Sequence, residues 1–219
     1  MRNLTLIAVL LALAAGTAPA QALQPAGEWS RDAHSVRSST TGDASVRSST
    51  SGASLTNVDG PRRFWVKDTH RYTSPWYDGA RRKMIAYGCT RAPYYDPDPR
   101  CEDQRGFHHG LDMAMPCGTR LFAGFRGWVA DPSSAGALGS AYGRKAFRLR
   151  NFDKGVDVVL GHVERVYVDP GDRVRKGQLI ARAGKLGAPD GCHLHFEVRP
   201  VRGGYTSAMR PHPYLMLQR

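Results

Sequence analysis

The stretch Cys192-His193-Leu194-His195-Phe196-Glu197-Val198 sets the reading of this 219-residue chain. It reads as a β-strand, in which alternate side chains share a face, so His193 and His195 point one way and Leu194 the other. A His-x-His pair by itself is weak evidence of a metal site. Its meaning depends on what the rest of the chain can bring beside it.

Outward from that strand, the segment after His108 breaks into short β-like runs between glycine and proline signals. They cover 121–123, 128–130, 146–152, 156–160, 166–168, 179–183 and 194–198. Phe147, Leu149 and Asn151 alternate with Arg148 and Arg150, the pattern of a half-buried strand. Pro170-Gly171 and Lys176-Gly177 mark tight turns. No segment there sustains a helical apolar period beyond two turns. The expected fold class is mainly β. From Trp76 to Gly106 the chain is rich in Pro, Tyr and Asp, which predicts ordered loops. Residues 61–106 are thus expected to be a loop-rich approach to a core at 107–219.

The first 22 residues have the form of a secretory signal. Arg2 is followed by an apolar run over 4–15, and Ala18-Pro19-Ala20 or Ala20-Gln21-Ala22 supplies a small-residue cleavage site. The run is shorter than the roughly 20 residues a membrane helix needs, and no second long apolar stretch follows. The expectation is a protein secreted, periplasmic or cell-wall associated, with no stable membrane span after signal cleavage. Residues 23–60 form a low-complexity linker, in which Ser35-Val36-Arg37-Ser38-Ser39-Thr40-Thr41-Gly42 nearly repeats as Ser45-Val46-Arg47-Ser48-Ser49-Thr50-Ser51-Gly52. The net charge of +12 lies beyond residue 60 and suits an anionic surface such as a cell wall. Nucleic acid is the intracellular reading of the same charge, and export argues against it.

Cys89, Cys101, Cys117 and Cys192 include no Cys-x-x-Cys pair, and an even count in an exported chain favours disulfides. Cys89 and Cys101 bracket a segment holding Pro93, Pro97 and Pro99, a natural local staple. That would leave Cys117 with Cys192, each close to a histidine motif. Four cysteines allow three pairings, and the spacing alone does not choose among them.

The remaining chemistry lies in His108-His109-Gly110-Leu111-Asp112 and Gly161-His162. His108 and Asp112 are separated by four, so on an extended chain they share a face, whereas His109 has the wrong parity. A close pair plus a distant third ligand is common in catalytic zinc sites, with one position left open. His108, Asp112 and one of His193 or His195 would make a two-His, one-carboxylate set. His34, His70, His109 and His212 read as ordinary surface or loop residues, and Arg62-Arg63 and Arg81-Arg82-Lys83 as solvated charge. Trp65, Trp76, Tyr77, Tyr94 and Tyr95 are expected to pack under the loops in preference to forming a sugar-stacking surface.

Taken together, four segments closely resemble the lysostaphin/LytM-type zinc metallopeptidases. They are His108-x-x-x-Asp112 running on through Met113-Ala114-Met115-Pro116-Cys117-Gly118-Thr119, then Gly161-His162, then Val168-x-x-Gly171-Asp172-x-Val174-x-x-Gly177-Gln178-x-Ile180, and finally His193-Leu194-His195-Phe196-Glu197-Val198. The likeness runs from about Tyr87 to Arg199. The third segment alone also resembles biotinyl and lipoyl carrier hairpins, which would need a modifiable lysine at the tip and no histidine set. The resemblance implies a small antiparallel β-sheet core with a loop-lined groove. It implies one Zn2+ per chain on His108, Asp112 and His195, with His193 as general base or water-orienting group and His162 stabilising the tetrahedral intermediate. It further implies peptidoglycan as substrate, cut in its stem peptides or cross-bridges. The flanking Cys117 and Cys192 and the loop from Cys89 to Arg105 depart from the pattern and bear on groove shape. Two alternatives share the metal site: a non-catalytic or latent wall-binding domain, and a carboxypeptidase acting on a small wall-derived peptide.

Overall fold

The structure is a computed structural model and describes residues 64–219. The expected signal, the linker, His34 and Arg62-Arg63 lie outside the described residues.

Thirteen strands account for nearly all regular structure: β1 Arg71–Ser74, β2 Tyr77–Lys83, β3 Gly88–Thr90, β4 Gly106–His108, β5 Gly110–Ala114, β6 Arg120–Phe122, β7 Gly127–Val129, β8 Phe147–Asn151, β9 Val156–Gly161, β10 Val163–Val166, β11 Arg173–Val174, β12 Leu179–Ala183 and β13 His193–Pro200. Among the described residues one short α-helix, α1 His212–Leu215, follows the last strand. Eleven strands form one antiparallel sheet in the order β10-β12-β6-β2-β5-β13-β9-β8-β7-β11, with β1 paired to β2; β3 and β4 form a separate ribbon. Among the described residues no helix is long and apolar enough to cross a membrane.

The 3.6-residue period is missing from the sequence because the apolar residues obey the period of two that a sheet requires. Along β13, Leu194, Phe196 and Val198 turn to one face and are wholly buried. They join Leu111, Met113, Leu121, Leu149, Val158, Leu160 and Ile180 in the main core. Trp76 lies edge-on to both Phe196 and Phe125, with ring centroids 4.9 Å apart in each pair. Burying each such side chain contributes about 1.5–3 kcal/mol. A smaller cluster of Trp65, Met84, Ile85, Ala92 and Ala114 supports the ribbon side.

Two expectations change here. The 76–106 region is not all loop, because β2 runs through the middle of the main sheet and β3 pairs with β4. And β8 is not half-buried: Arg148 and Arg150 are 2% and 8% exposed. Arg150 donates to both oxygens of buried Asp157 at 2.7 and 2.8 Å. Arg148 donates to the carbonyls of Asp131, Ser134 and Ala135 and so pins the loop that follows β7. Charge pairing across β8 and β9 permits arginine where the local pattern suggests solvent.

Disulfides join Cys89 to Cys101 and Cys117 to Cys192, the pairing that the local-staple argument favours. Of the aromatic residues, Trp65, Trp76 and Tyr77 are buried in the two cores. Tyr95 packs against the smaller core and also walls a groove, and the more exposed Tyr94 walls the same groove.

Candidate metal centre and groove

Antiparallel pairing brings the three histidine segments together. In the register of β5 with β13, Asp112 stands opposite His195, and in that of β13 with β9, His195 stands opposite Gly161. His162 follows directly, in a left-handed backbone conformation (φ +60°) uncommon outside glycine. His108 closes β4, with only His109 between it and the start of β5. Gly110 opens β5 beneath the His195 ring, where a Cβ would come within 2.6 Å of His195 Cε1.

The outcome is a tight cluster of donor atoms. His195 Nδ1 lies 2.9 Å from Asp112 Oδ1, His108 Nε2 lies 3.2 Å from the same oxygen, and the two nitrogens are 3.1 Å apart. Ligand atoms placed tetrahedrally about 2.0–2.1 Å from a zinc ion stand roughly 3.3 Å from one another. These three residues therefore fit such an ion in donor type and in spacing, and they form a group able to hold a metal. His108 Nδ1 faces the Ala86 carbonyl at 3.0 Å. A carbonyl only accepts, so that nitrogen carries the hydrogen and Nε2 keeps its lone pair for the cluster.

His193 and His162 stand beside the cluster. His193 Nε2 is 3.7 Å from Asp112 Oδ2, and the two rings are 4.5 Å apart at their centroids. Each commits Nδ1–H to a backbone carbonyl, His193 to Gly191 at 3.0 Å and His162 to Leu186 at 2.9 Å. Both neutral rings consequently present Nε2 as an acceptor.

Electrostatics keep these roles apart. Burial, with the nearby imidazoles adding to it, lowers His162 to about 3, and burial also lowers His193. For His195, burial is opposed and outweighed by the hydrogen bonds its ring donates to the Asp112 and Glu197 carboxylates, which raise it to about 9 in the metal-free chain. Burial pushes the Asp112 carboxyl up, but the imidazoles of His108 and His193 beside it and the hydrogen bond from His195 hold it well below the usual carboxylate range.

All five residues line a groove of about 650 Å3. Its other walls include Tyr94 to Asp96, Ala137, Tyr142, Pro189 and Tyr205. The Tyr94 hydroxyl donates to Asp190, joining two of these loops. His109, read from parity as an ordinary loop residue, also lines the groove, where its ring stacks edge-on with Tyr205 at 5.0 Å. Sequence reasoning gave no site role to Gly110, Tyr142 or Glu197. For Glu197 the signal was present, since it is two residues beyond His195 and on the same face of the strand.

The fold and this arrangement define the class. Residues 106–209, just under half of the chain, match the model of Peptidase family M23, and this region is of the lysostaphin/LytM type. Among curated proteins, it is 30% identical over 103 residues to the peptidoglycan DD-endopeptidase ShyA of Vibrio cholerae, a match over 47% of this chain and 22% of that protein. It is 33% identical over 90 residues to the peptidoglycan DD-endopeptidase ShyC of the same organism, over 41% of this chain and 19% of that one. The chain thus matches only about a fifth of the length of these relatives. Among solved structures, LytU is 26% identical with a TM-score of 0.50, covering 61% of this chain and 83% of that one.

Proposed function

We propose that this chain is an exported zinc-dependent endopeptidase that hydrolyses peptide bonds of peptidoglycan, in its stem peptides or cross-bridges. The observation that carries the reading is the buried convergence of His108 Nε2, Asp112 Oδ1 and His195 Nδ1 within 3.2 Å of one another, with two further histidines presenting acceptors beside them. The family match over 106–209 and relatives named as peptidoglycan endopeptidases support the substrate class. The two cystines and the signal-like first 22 residues support export to a periplasmic or cell-wall setting, with 23–60 as a tether and 107–219 as the catalytic core.

In this reading His108, Asp112 and His195 hold one zinc ion, which when bound supplies Lewis-acid polarisation of a carbonyl and acidifies a water. His193 Nε2, free of the backbone bond that occupies Nδ1, takes the proton of the attacking water and returns it to the leaving amine. His162 faces the developing oxyanion. Burial keeps it neutral with its hydrogen on Nδ1, so it donates from Nε2 only while it holds the one proton that His193 has taken from the water, and that same proton then returns through His193 to the leaving amine. A contact of this kind is worth about 3 kcal/mol. The groove walls hold the peptide extended over these groups and exclude bulk water.

The test is zinc stoichiometry measured alongside release of soluble fragments from purified peptidoglycan. One zinc per chain and lysis are expected. His108→Ala and Asp112→Ala should lose both. His193→Ala should keep its zinc while turnover falls by about 10²-fold or more. Absence of zinc from the parent chain would overturn the reading. Zinc without lysis would favour the non-catalytic or latent wall-binding alternative, and release of terminal residues alone would make it a carboxypeptidase.

A further inference from the structure

We propose that Glu197, backed by Arg199 and Tyr142, is a positioning residue that fixes the ring of His195 for metal binding, an inference that rests on the zinc reading of the site. The two histidines of the cluster present different nitrogens, His108 its Nε2 and His195 its Nδ1. In each ring the opposite nitrogen is engaged elsewhere. For His108 the partner is a backbone carbonyl; for His195 it is Glu197 Oε2, 3.1 Å from Nε2. A carboxylate can only accept, so it keeps the hydrogen of a neutral His195 on Nε2 and leaves the lone pair on Nδ1, beside Asp112.

Glu197 does not itself face the groove. It is wholly buried, and both of its oxygens are occupied. Arg199 Nε donates to Oε1 at 2.5 Å, and the Tyr142 hydroxyl donates to Oε2 at 2.8 Å. Arg199, 1% exposed, also donates to the Tyr142 hydroxyl at 2.8 Å and to the Gly136 carbonyl at 3.0 Å. A buried ion pair is poor value as stabilisation, since apolar residues of equal volume often do as well. This one holds a ring on one side and a groove wall on the other. Tyr142 extends it further, because its carbonyl accepts the His162 backbone N–H at 2.8 Å.

Glu197→Gln separates positioning from bulk. The amide has one acceptor oxygen, which can serve His195 or Arg199 but not both. An NH2 turned toward His195 Nε2 would drive the ring hydrogen onto Nδ1, where the ion must bind. Because that change leaves a buried guanidinium without its counter-charge, the paired variant Glu197→Leu/Arg199→Met, which removes the acceptor and the guanidinium together, is made beside it. Zinc dissociation constants of the purified full chain with native disulfides are measured by competition with a chromophoric chelator, with the metal-free thermal midpoint as the folding control. Zinc binding weaker by on the order of 10–100-fold is expected in each variant that melts cooperatively, whereas an affinity within about threefold of the parent, even with a lowered midpoint, would overturn the proposal. The parent alone supplies a second readout that needs no variant to fold. In zinc-loaded protein, long-range proton–nitrogen correlation should find the His195 hydrogen on Nε2, and a hydrogen on Nδ1 would overturn the assignment. If the parent binds no zinc, the site reading itself fails; if the parent binds and the variants bind equally, only the role of Glu197 fails.

Discussion

At Gly110 a single hydrogen stands where another residue would carry a Cβ, 2.6 Å from His195 Cε1 and 2.9 Å from the Phe196 carbonyl. The His195 ring cannot retreat, because one nitrogen is held by Asp112 and the other by Glu197. Gly110→Ala should therefore destabilise the chain by about 1–3 kcal/mol, the usual cost of overpacking, and weaken zinc binding together with it. Chemical denaturation and chelator competition on one preparation check both effects, and a parent-like value in each would contradict the steric argument. At this scale residue type and spacing offered His108, Asp112 and one of His193 or His195, while the choice of His195 and the parts of His193 and His162 came only with the family resemblance. Gly110 escaped because its demand arises only when β13 crosses above it, and Tyr142 because its partners are more than 50 residues away.

A strand has two faces, and β13 divides its labour between them. His193, His195, Glu197 and Arg199 alternate with Leu194, Phe196 and Val198, so one face carries the site and the other the core. Phe196→Ala removes the ring edge-on to Trp76 and should cost about 3–5 kcal/mol. It leaves every donor atom on the opposite face in place. The expected result is a lower denaturation midpoint with one zinc still bound per folded chain, and loss of zinc from folded protein would count against the separation. The same alternation explains which strands were legible. Residues 179–183 match β12, and 194–198 lie within β13, because each carries its own apolar run. β2 was missed because Asp78-Gly79-Ala80-Arg81-Arg82-Lys83 has no such run and is held by its neighbours β5 and β6. β10 falls at Val163–Val166, earlier than the expected 166–168, since the left-handed turn at His162 starts it directly after β9. The burial of Arg148 and Arg150 depends on Asp157 in the adjacent strand, which no local pattern reports.

Across the whole described domain, the two cystines act on different lengths of chain. Cys89–Cys101 spans a sequence separation of 12 and closes the loop holding Tyr94 and Tyr95, while Cys117–Cys192 spans 75 and ties the end of the β5 segment to the start of β13. Chain-entropy arguments give about 3 kcal/mol for the short loop and about 4.5 kcal/mol for the long one. Replacing each pair by serines should follow that order in denaturation midpoints, with m-values checking that the unfolded chain has expanded. The functional consequences should differ as well. Cys192 adjoins both His193 and Gly191, whose carbonyl fixes the His193 tautomer at 3.0 Å. Its removal should lower turnover of a folded, zinc-bound protein, because His193, the proposed base, loses orientation while the proposed ligands His108, Asp112 and His195 remain. Removal of Cys89–Cys101 frees a groove wall and should act mainly on substrate affinity. Parent-like turnover and substrate affinity in both folded double variants would mean that the cystines serve stability alone.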